Sequence, residues 1–424
     1  MPTPSLLIVP ARFKSGKMYS QIPTSGAGDF TVTRATSATR VNASGLIESV
    51  ASGIPRLDYF ASGGTAGCPA LLVEPSAQNL ALQSENFTLS GSWNTSVAGR
   101  TLVTGNVTAT LDPYGGNVAD LLSDDNTASN THRMYTVGNI SITSGTTYST
   151  SFFVKANTTP WFEIRLMQSN ETDAGIVGTV FNLTSGTITS GSGTIQNYGN
   201  GWYRCTNIGT SNFTGNGRIF FYVYDSSGTK SYNGTSSNSL YIFGAQLETG
   251  SIATSYIPTT TGSVTRNADV VSVSGAVSGS IGQTEGTIYA EVDVRNITAV
   301  KNIISTDDGN SLNRVSLFID PSPNRITAVI SSGGTGTFVS GSITTGVHKI
   351  AVSYSSSDVQ VFLNGGFLAS GVPTLFPSVT RNNLSIGGRI VSGAYGAFLN
   401  DRIRAAALYT TRLTNDQLAS LTTP

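Results

Sequence analysis

The sequence predicts an all-β protein: an N-terminal extended arm followed by two β-sandwich (jelly-roll) domains. Three observations carry this. Only 11% of the 424 residues are charged, and Gly (47 residues) with Ser, Thr and Asn fills the difference. Aromatics reach 9% and Val, Ile and Thr are abundant, whereas disordered chains are charge-rich and poor in such residues. Short alternating runs recur along the chain between Gly/Ser/Asn turns, which is a sheet pattern. At about 150 residues per domain, the length fits two or three domains.

Residues 1–70 form the first section. LLIV at 6–9 is a short apolar strand ended by Pro10, and RFKSGKMYSQIP at 12–23 is a strand candidate turning at Ser15-Gly16. From Phe30 to Tyr59 small polar and apolar residues alternate, which fits exposed strands or an extended arm. So short a section, with few large apolar side chains, does not bury a core of its own. It is therefore expected to pack on another subunit or another protein, and deleting residues 1–60 is expected to leave soluble sandwiches.

Residues 71–258 read as the first sandwich. Strand-like runs fall at 70–73, 100–103, 147–155, 162–167, 178–183, 202–208, 219–224 and 239–248, separated by turns such as SGSG at 190–193 and GNG at 199–201. About eight strands is jelly-roll size. The stretch 241–269, YIFGAQLETGSIATSYIPTTTGSVTRNAD, begins as its last strand and becomes a strap. Pro258 stiffens that strap, Tyr256 and Ile257 are placed to pin it to the first sandwich, and Glu248 and Arg266 bracket it. Residues 259–286 are the linker, and 287–424 the second sandwich. There, runs at 287–294, 302–305, 314–319, 325–331, 347–353, 359–363 and 384–386 are strands, one of them ending in the Asn-Gly turn at 364–365. Thr414 with Gln417 three residues on forms a capping box for one short helix over 414–421.

Composition also excludes function classes. Lys+Arg and Asp+Glu both number 24, and no basic stripe appears, so no nucleic acid is expected as a partner. No run of about 18 apolar residues exists, so no membrane insertion is expected. The N-terminus lacks the basic start and cleavage site of a signal peptide. Cys68 and Cys205 can pair or stay free, and the free reading is the better fit.

Few residues suggest chemistry. His132 and His348 are far apart and lack metal-ligand spacing, and no HExxH, GxSxG or phosphate-cradling loop occurs. Glu291 and Asp293 share a strand face, but Arg295 and Asn296 stand where a second Glu would complete a glycoside-hydrolase pair. No enzyme is expected. No cofactor is expected either; structural calcium is the one metal the loops suit, at Asp120, Asp124, Asp125 and Asn126, and at Asp307, Asp308 and Asn310. Neither loop has EF-hand spacing, and solvated turns explain both. Sugar binding needs aromatic faces ringed by Asn, Asp and Gln, and Trp161, Trp93 and Tyr198 are the candidates. Trp202 fits a core position better.

Two strings resemble proteins of tailed-bacteriophage virions: DFTVTRATSATRVNASGLIESVASGIPRLDY at 29–59, continued by CPALLVEPSAQNLALQSENF at 68–87, and GAQLETGSIATSYIPT at 244–259 with VTR at 264–266. In the first string, Phe30, Arg34, Thr36, Arg40, Asn42, Gly45, Leu46, Ile47, Glu48, Pro55, Arg56, Asp58 and Tyr59 carry the match. Residues 71–258 resemble a carbohydrate-binding-module sandwich through FFVK at 152–155, GWYR at 201–204 and GAQLE at 244–248. Residues 287–424 resemble concanavalin-A-like, laminin-G-type jelly rolls in the order of their closing strands. The resemblance implies a virion structural protein (fibre, decoration or tail accessory) that attaches to other virion proteins through residues 1–70. It also implies a homo-oligomer, with a trimer as the starting expectation, and weak multivalent binding to cell-surface glycans. The alternatives are a purely architectural capsid or tail protein, and a polysaccharide depolymerase.

Overall fold

Alternation dictates the local structure. In Phe30–Thr33 the side chains of Phe30 and Val32 are buried while Thr31 and Thr33 are exposed, as a pleated strand with one covered face requires. Repeated along the chain, this pattern gives a computed structural model with 49% strand and 3% helix, describing residues 2–61, 67–95 and 100–424.

The strands form two sandwiches, nested and not arranged in tandem. The inserted sandwich packs a sheet in the order Trp93–Asn94, Asn130–Thr136, Gly215–Val223, Trp161–Gln168, Thr179–Asn182, Thr187–Ser190 against a second sheet. That six-stranded sheet has Ser239–Thr249, Thr147–Ala156 and Trp202–Thr210 side by side. Phe87, Trp93, Phe152, Phe162, Phe221 and Leu247 fill the space between them. The terminal sandwich is built from both ends of the chain. Its nine-stranded sheet runs Phe13–Lys14, Lys17–Met18, Phe30–Thr33, Val270–Ser274, Asn383–Ile386, Lys301–Asp307, Arg314–Asp320, Arg325–Ser332, Thr335–Ser342. In the facing sheet, Leu6–Ile8 and Ala70–Val73 both pair with Asp401–Tyr409.

This corrects two expectations. The first section is no free arm: Leu6, Ile8, Met18, Phe30 and Val32 are core residues of the terminal sandwich. The core that the section joins lies in the same chain. The run at 70–73 also belongs to the terminal sandwich, and the expected linker contributes Val270–Ser274 to its sheet. The helix forms at Asn415–Thr422 with the capping box at Thr414, as expected.

A buried charge cluster closes this arrangement. Arg56 donates from Nη1 to Glu74 Oε2 at 2.6 Å and from Nη2 to Asp269, while Arg34 Nη1 reaches Asp269 Oδ1 at 2.8 Å. Arg266 lies 3.4 Å and Arg295 3.8 Å from the Glu74 carboxylate. Ser255 in the strap donates its backbone N–H and its hydroxyl to Glu74, at 2.9 and 2.7 Å. Beside it, Lys301 and Arg295 hold Asp401 at 3.0 and 3.4 Å. Glu248 does not reach Arg266; it accepts from Thr254 and Gln246 within the strap.

The strap rests on one glycine. Gly244 has φ +64, and a Cβ there would stand 2.9 Å from the Phe153 ring and 3.2 Å from the Tyr256 ring. A bare backbone thus lets Tyr256 lie on Phe153 and Phe243, with ring centroids 5.8 and 5.6 Å away. Both Tyr256 and Ile257 are buried.

Two outcomes follow for stability. Deleting residues 1–60 removes core strands and Arg34 and Arg56, so the remainder is expected to be insoluble or to lack a cooperative transition for the terminal sandwich in calorimetry. Glu74→Gln leaves buried guanidiniums short of a counter-charge and is expected to cost about 3 kcal/mol at neutral pH in denaturant titration. Burial alone would raise the Glu74 carboxyl, but Arg266, Arg56 and Arg295 outweigh it and hold the group well below 4.5. A depressed carboxylate stabilises above its unfolded pKa and loses that contribution as pH falls through its folded pKa. The wild type is therefore expected to lose stability more steeply below about pH 4.5 than Glu74→Gln, and equal slopes would refute this assignment.

Candidate functional site

The candidate surface is the outer face of the sheet that holds Trp161–Gln168 in the inserted sandwich. Strand register sets it out in rows. Asn94, Tyr135, Phe220 and Arg165 lie side by side, then Arg133, Tyr222, Glu163 and Val180. Trp161 and Tyr224 extend the face at one end, Arg218 and Met167 at the other. The opposite side chains of these strands (Met134, Phe162, Ile164, Ile219, Phe221 and Val223) fill the sandwich core.

Among the described residues no second sheet covers this face; a layer of charge does. The Arg100 and Arg218 guanidinium carbons lie 4.7 and 5.5 Å from the Tyr135 ring centroid, and Lys230 Nζ lies 3.8 Å from that of Tyr222. Cations over aromatic faces are attracted by the ring quadrupole. Around them Arg133 pairs with Glu171 at 2.6 Å, Arg165 with Asp173 at 3.3 Å, and Lys230 with Glu163 at 2.5 Å. Tyr224 donates its hydroxyl to Glu163 at 2.8 Å, while Asn94 and Arg100 donate to the Tyr135 hydroxyl at 3.0 and 3.2 Å. Burial, with Glu163 and Glu171 nearby, pushes the Tyr222 phenol up to about 12. The Nε–H groups of Arg100, Arg133, Arg165 and Arg218 are buried without a partner among the described residues. The surface is thus an aromatic floor beneath many donors and a few acceptors. Its rim pairs are partly exposed, with Glu171 at 39% and Asp173 at 59%. Such pairs are worth only about 0–1 kcal/mol and exchange readily for a polar ligand.

Of the three aromatic candidates, one lies here. Trp161 is half-buried at the end of the face, its indole 3.2 Å from where a Cβ on Gly228 would stand. Trp93 is corrected: it is fully buried, packed on Phe87 and donating Nε1–H to Gln83 O at 3.2 Å, so no sugar can stack on it. Tyr198 lies elsewhere: half-buried at the contact between the sandwiches, 4.8 Å from Phe60 and 5.0 Å from Phe153 by ring centroids. Trp202 is buried as expected. Tyr135, Phe220, Tyr222 and Tyr224 escaped the sequence reading. The signal was RIFFYVY at 218–224, apolar on both faces, which marks a strand whose outer side is also covered.

The remaining candidates sit in structural roles. Glu291 and Asp293 each face a guanidinium, Arg404 at 3.9 Å and Arg402 at 3.6 Å. The Asp120 carboxylate accepts the N–H groups of Phe87 and Asn106, and that of Asp124 accepts those of Thr235 and Asn238. Asp307 caps Gly309, and Asp308 caps Asn310. Among the described residues no three His, Cys, Asp or Glu side chains gather as a metal site. His132 is buried against Tyr232 and bonded to Asp125 at 2.8 Å, and His348 is bonded to Thr344 O at 2.8 Å. Both cysteines are free: Cys68 is exposed and Cys205 lies in the core of the inserted sandwich.

No known family profile matches the chain, and no curated protein does. Solved structures that share part of the fold include the CBM40 of the Ruminococcus gnavus IT-sialidase (16% identity, 34% of this chain and 85% of that chain, TM-score 0.30). The NanB sialidase of Streptococcus pneumoniae (12%, 36% and 27%, TM-score 0.31) and a SAP-like pentraxin of Limulus polyphemus (12%, 32% and 68%, TM-score 0.26) are others. At these scores the likeness carries no argument about function.

Proposed function

We propose that the chain is a non-enzymatic structural protein of a tailed-phage virion that displays lectin-like sandwiches and binds surface glycans weakly, its copy number supplying avidity. One observation carries the binding half. The outer face of the inserted sandwich presents the half-buried Trp161 indole beside a layer of Arg, Lys, Glu and Asn groups, with Tyr135, Phe220, Tyr222 and Tyr224 buried beneath it. A saccharide presents apolar ring faces and a rim of hydroxyls, and the Trp161 indole with the charged layer beside it offers a partner to each. The virion half rests on the strings at 29–59 and 244–266. Attachment falls to the N-terminal segment as a folded edge: Phe13–Lys14 is the open border of the nine-stranded sheet. Assembly as a homo-oligomer, with a trimer first, belongs to the same proposal.

A purely architectural subunit is the second reading. The exposed Phe338, Phe367, Val372, Leu375 and Val379 of the terminal sandwich favour it, because exposed apolar side chains of this size suit a protein contact.

A glycan array probed with the assembled oligomer tests the binding. Saccharides are expected to be retained at about millimolar affinity, and Trp161→Ala or Arg133→Gln to weaken them about tenfold with thermal unfolding unchanged. Absence of any binding at millimolar sensitivity, or full binding by both folded variants, would sink the assignment of this face.

A further inference from the structure

One buried amine in the terminal sandwich has more within reach than an ion-pair partner. Lys301 opens the strand Lys301–Asp307 of the nine-stranded sheet, and residues 295–300 lead to it from Glu285–Val294 in the facing sheet. It is the one buried lysine of the chain. Its Nζ lies 3.0 Å from Oδ2 of the equally buried Asp401. The other carboxylate oxygen is occupied: Asp401 Oδ1 accepts the backbone N–H of Arg295 at 2.9 Å and its Nε–H at 3.4 Å. Lys301 Nζ also donates to both oxygens of Asn296, the backbone carbonyl at 3.0 Å and the side-chain Oδ1. The amine thus touches a carboxylate and a carboxamide at once, with the amide carbon one bond beyond its contact with Oδ1.

The Asn296 amide is arranged to receive a nucleophile. Its Oδ1 accepts the Thr298 hydroxyl at 3.0 Å as well as Lys301, so two donors converge where negative charge develops during attack. Its Nδ2 is buried and has no hydrogen-bond partner among the described residues. Buried polar groups are normally paired, and each exception asks for an explanation. Burial pushes the Lys301 amine down and the Asp401 carboxyl up, against their mutual attraction. The Arg295 charge disfavours the Lys301 ammonium and favours the Asp401 carboxylate. Moving one proton from Lys301 to Asp401 removes two buried charges and leaves a neutral amine, the form in which lysine is a nucleophile.

We propose that Lys301 and Asn296 join in an intramolecular isopeptide bond, with Asp401 as the catalytic acid and base. The Lys301 ammonium gives one proton to Asp401 Oδ2, and the freed lone pair attacks Asn296 Cγ, which is held within contact reach. Over the whole sequence Asp401 passes two protons from Lys301 to Nδ2. The Cγ–Nδ2 bond breaks, the nitrogen leaves as ammonium, and Asp401 ends ionised. No oxidant, reductant or further reactant enters. Residues 298–300 are exposed, so the leaving nitrogen has a short way to solvent. The product ties the end of Glu285–Val294 to the start of Lys301–Asp307, a covalent staple between the facing sheets. It depends on no ligand of the inserted sandwich, so either reading can fail alone.

Mass spectrometry of the full folded chain tests this. The intact mass is expected to fall short of the sequence mass by one ammonia. In a tryptic digest, cleavage after Lys301 is expected to fail, because its amine is acylated. Residues 296–314 then appear as one peptide, lighter by one ammonia, and fragmentation places the link between Asn296 and Lys301. Asn296→Ala and Asp401→Asn are each expected to restore the full mass and the cleavage after Lys301. Full sequence mass with complete cleavage after Lys301, following prolonged incubation of the folded chain, would overturn the proposal and leave an ordinary buried ion pair. Loss of one water with Lys301 joined to Asp401 would overturn it too, as would a link that persists in Asn296→Ala. Should Asp401→Asn not fold, the wild type and Asn296→Ala decide.

Discussion

A buried cluster of charges makes one sandwich out of the two ends of this chain. Arg34 and Arg56 come from the N-terminal section, Glu74 from the way into the inserted sandwich, Ser255, Arg266 and Asp269 from the way out, and Arg295 from the C-terminal section. The side chains of Arg56 and Glu74 have no exposed surface at all. A buried ion is tolerated only when its counter-charge and its hydrogen bonds are all in place, and losing one partner strands the others. The cluster therefore forms only when all these segments have arrived. It supplies registry more than net stability, since desolvation offsets much of the attraction between its members.

The same constraint positions the surfaces. Arg56 and Ser255 meet at Glu74, and Tyr256 sits immediately beyond on Phe153 and Phe243 of the six-stranded sheet. Aromatic contacts then continue through Tyr198 to Phe60. These groups commit one face of the six-stranded sheet to the joint. The outer face of its partner sheet, with Trp161, Tyr222 and the guanidinium layer, stays outside that joint. Charged residues are scarce in this sequence, so their placement is informative. Many meet at the clasp and others lie over the outer face of the inserted sandwich.

The β class, most strand positions in 147–248 and 287–363 and the capped helix were legible because each is a local pattern: alternation, Asn-Gly turns, Thr414 with Gln417. Nesting was not. Phe30–Thr33 finds Val270–Ser274, and Leu6–Ile8 finds Asp401–Tyr409, and no periodicity encodes a partner so far along the chain. The four-residue strand at Phe30 looks the same whether its partner is another subunit or the far end of its own chain. Site reading failed in a related way. Trp93 was singled out for its residue type, but its row-mate Thr136 and its packing on Phe87 place it inward. Phe220 and Tyr222 look like ordinary core residues until the register puts them beside Arg165 and Arg133.

The most direct measurement of the central claim is amide hydrogen exchange on the intact chain, comparing Leu6–Ile8 and Phe30–Thr33 with Glu285–Val294 in the middle of the facing sheet. If the two ends share one core and one clasp, the N-terminal strands exchange only through the same cooperative opening as Glu285–Val294, with similar protection. Rapid exchange of the N-terminal strands while Glu285–Val294 stays protected would show a detachable arm and contradict the account.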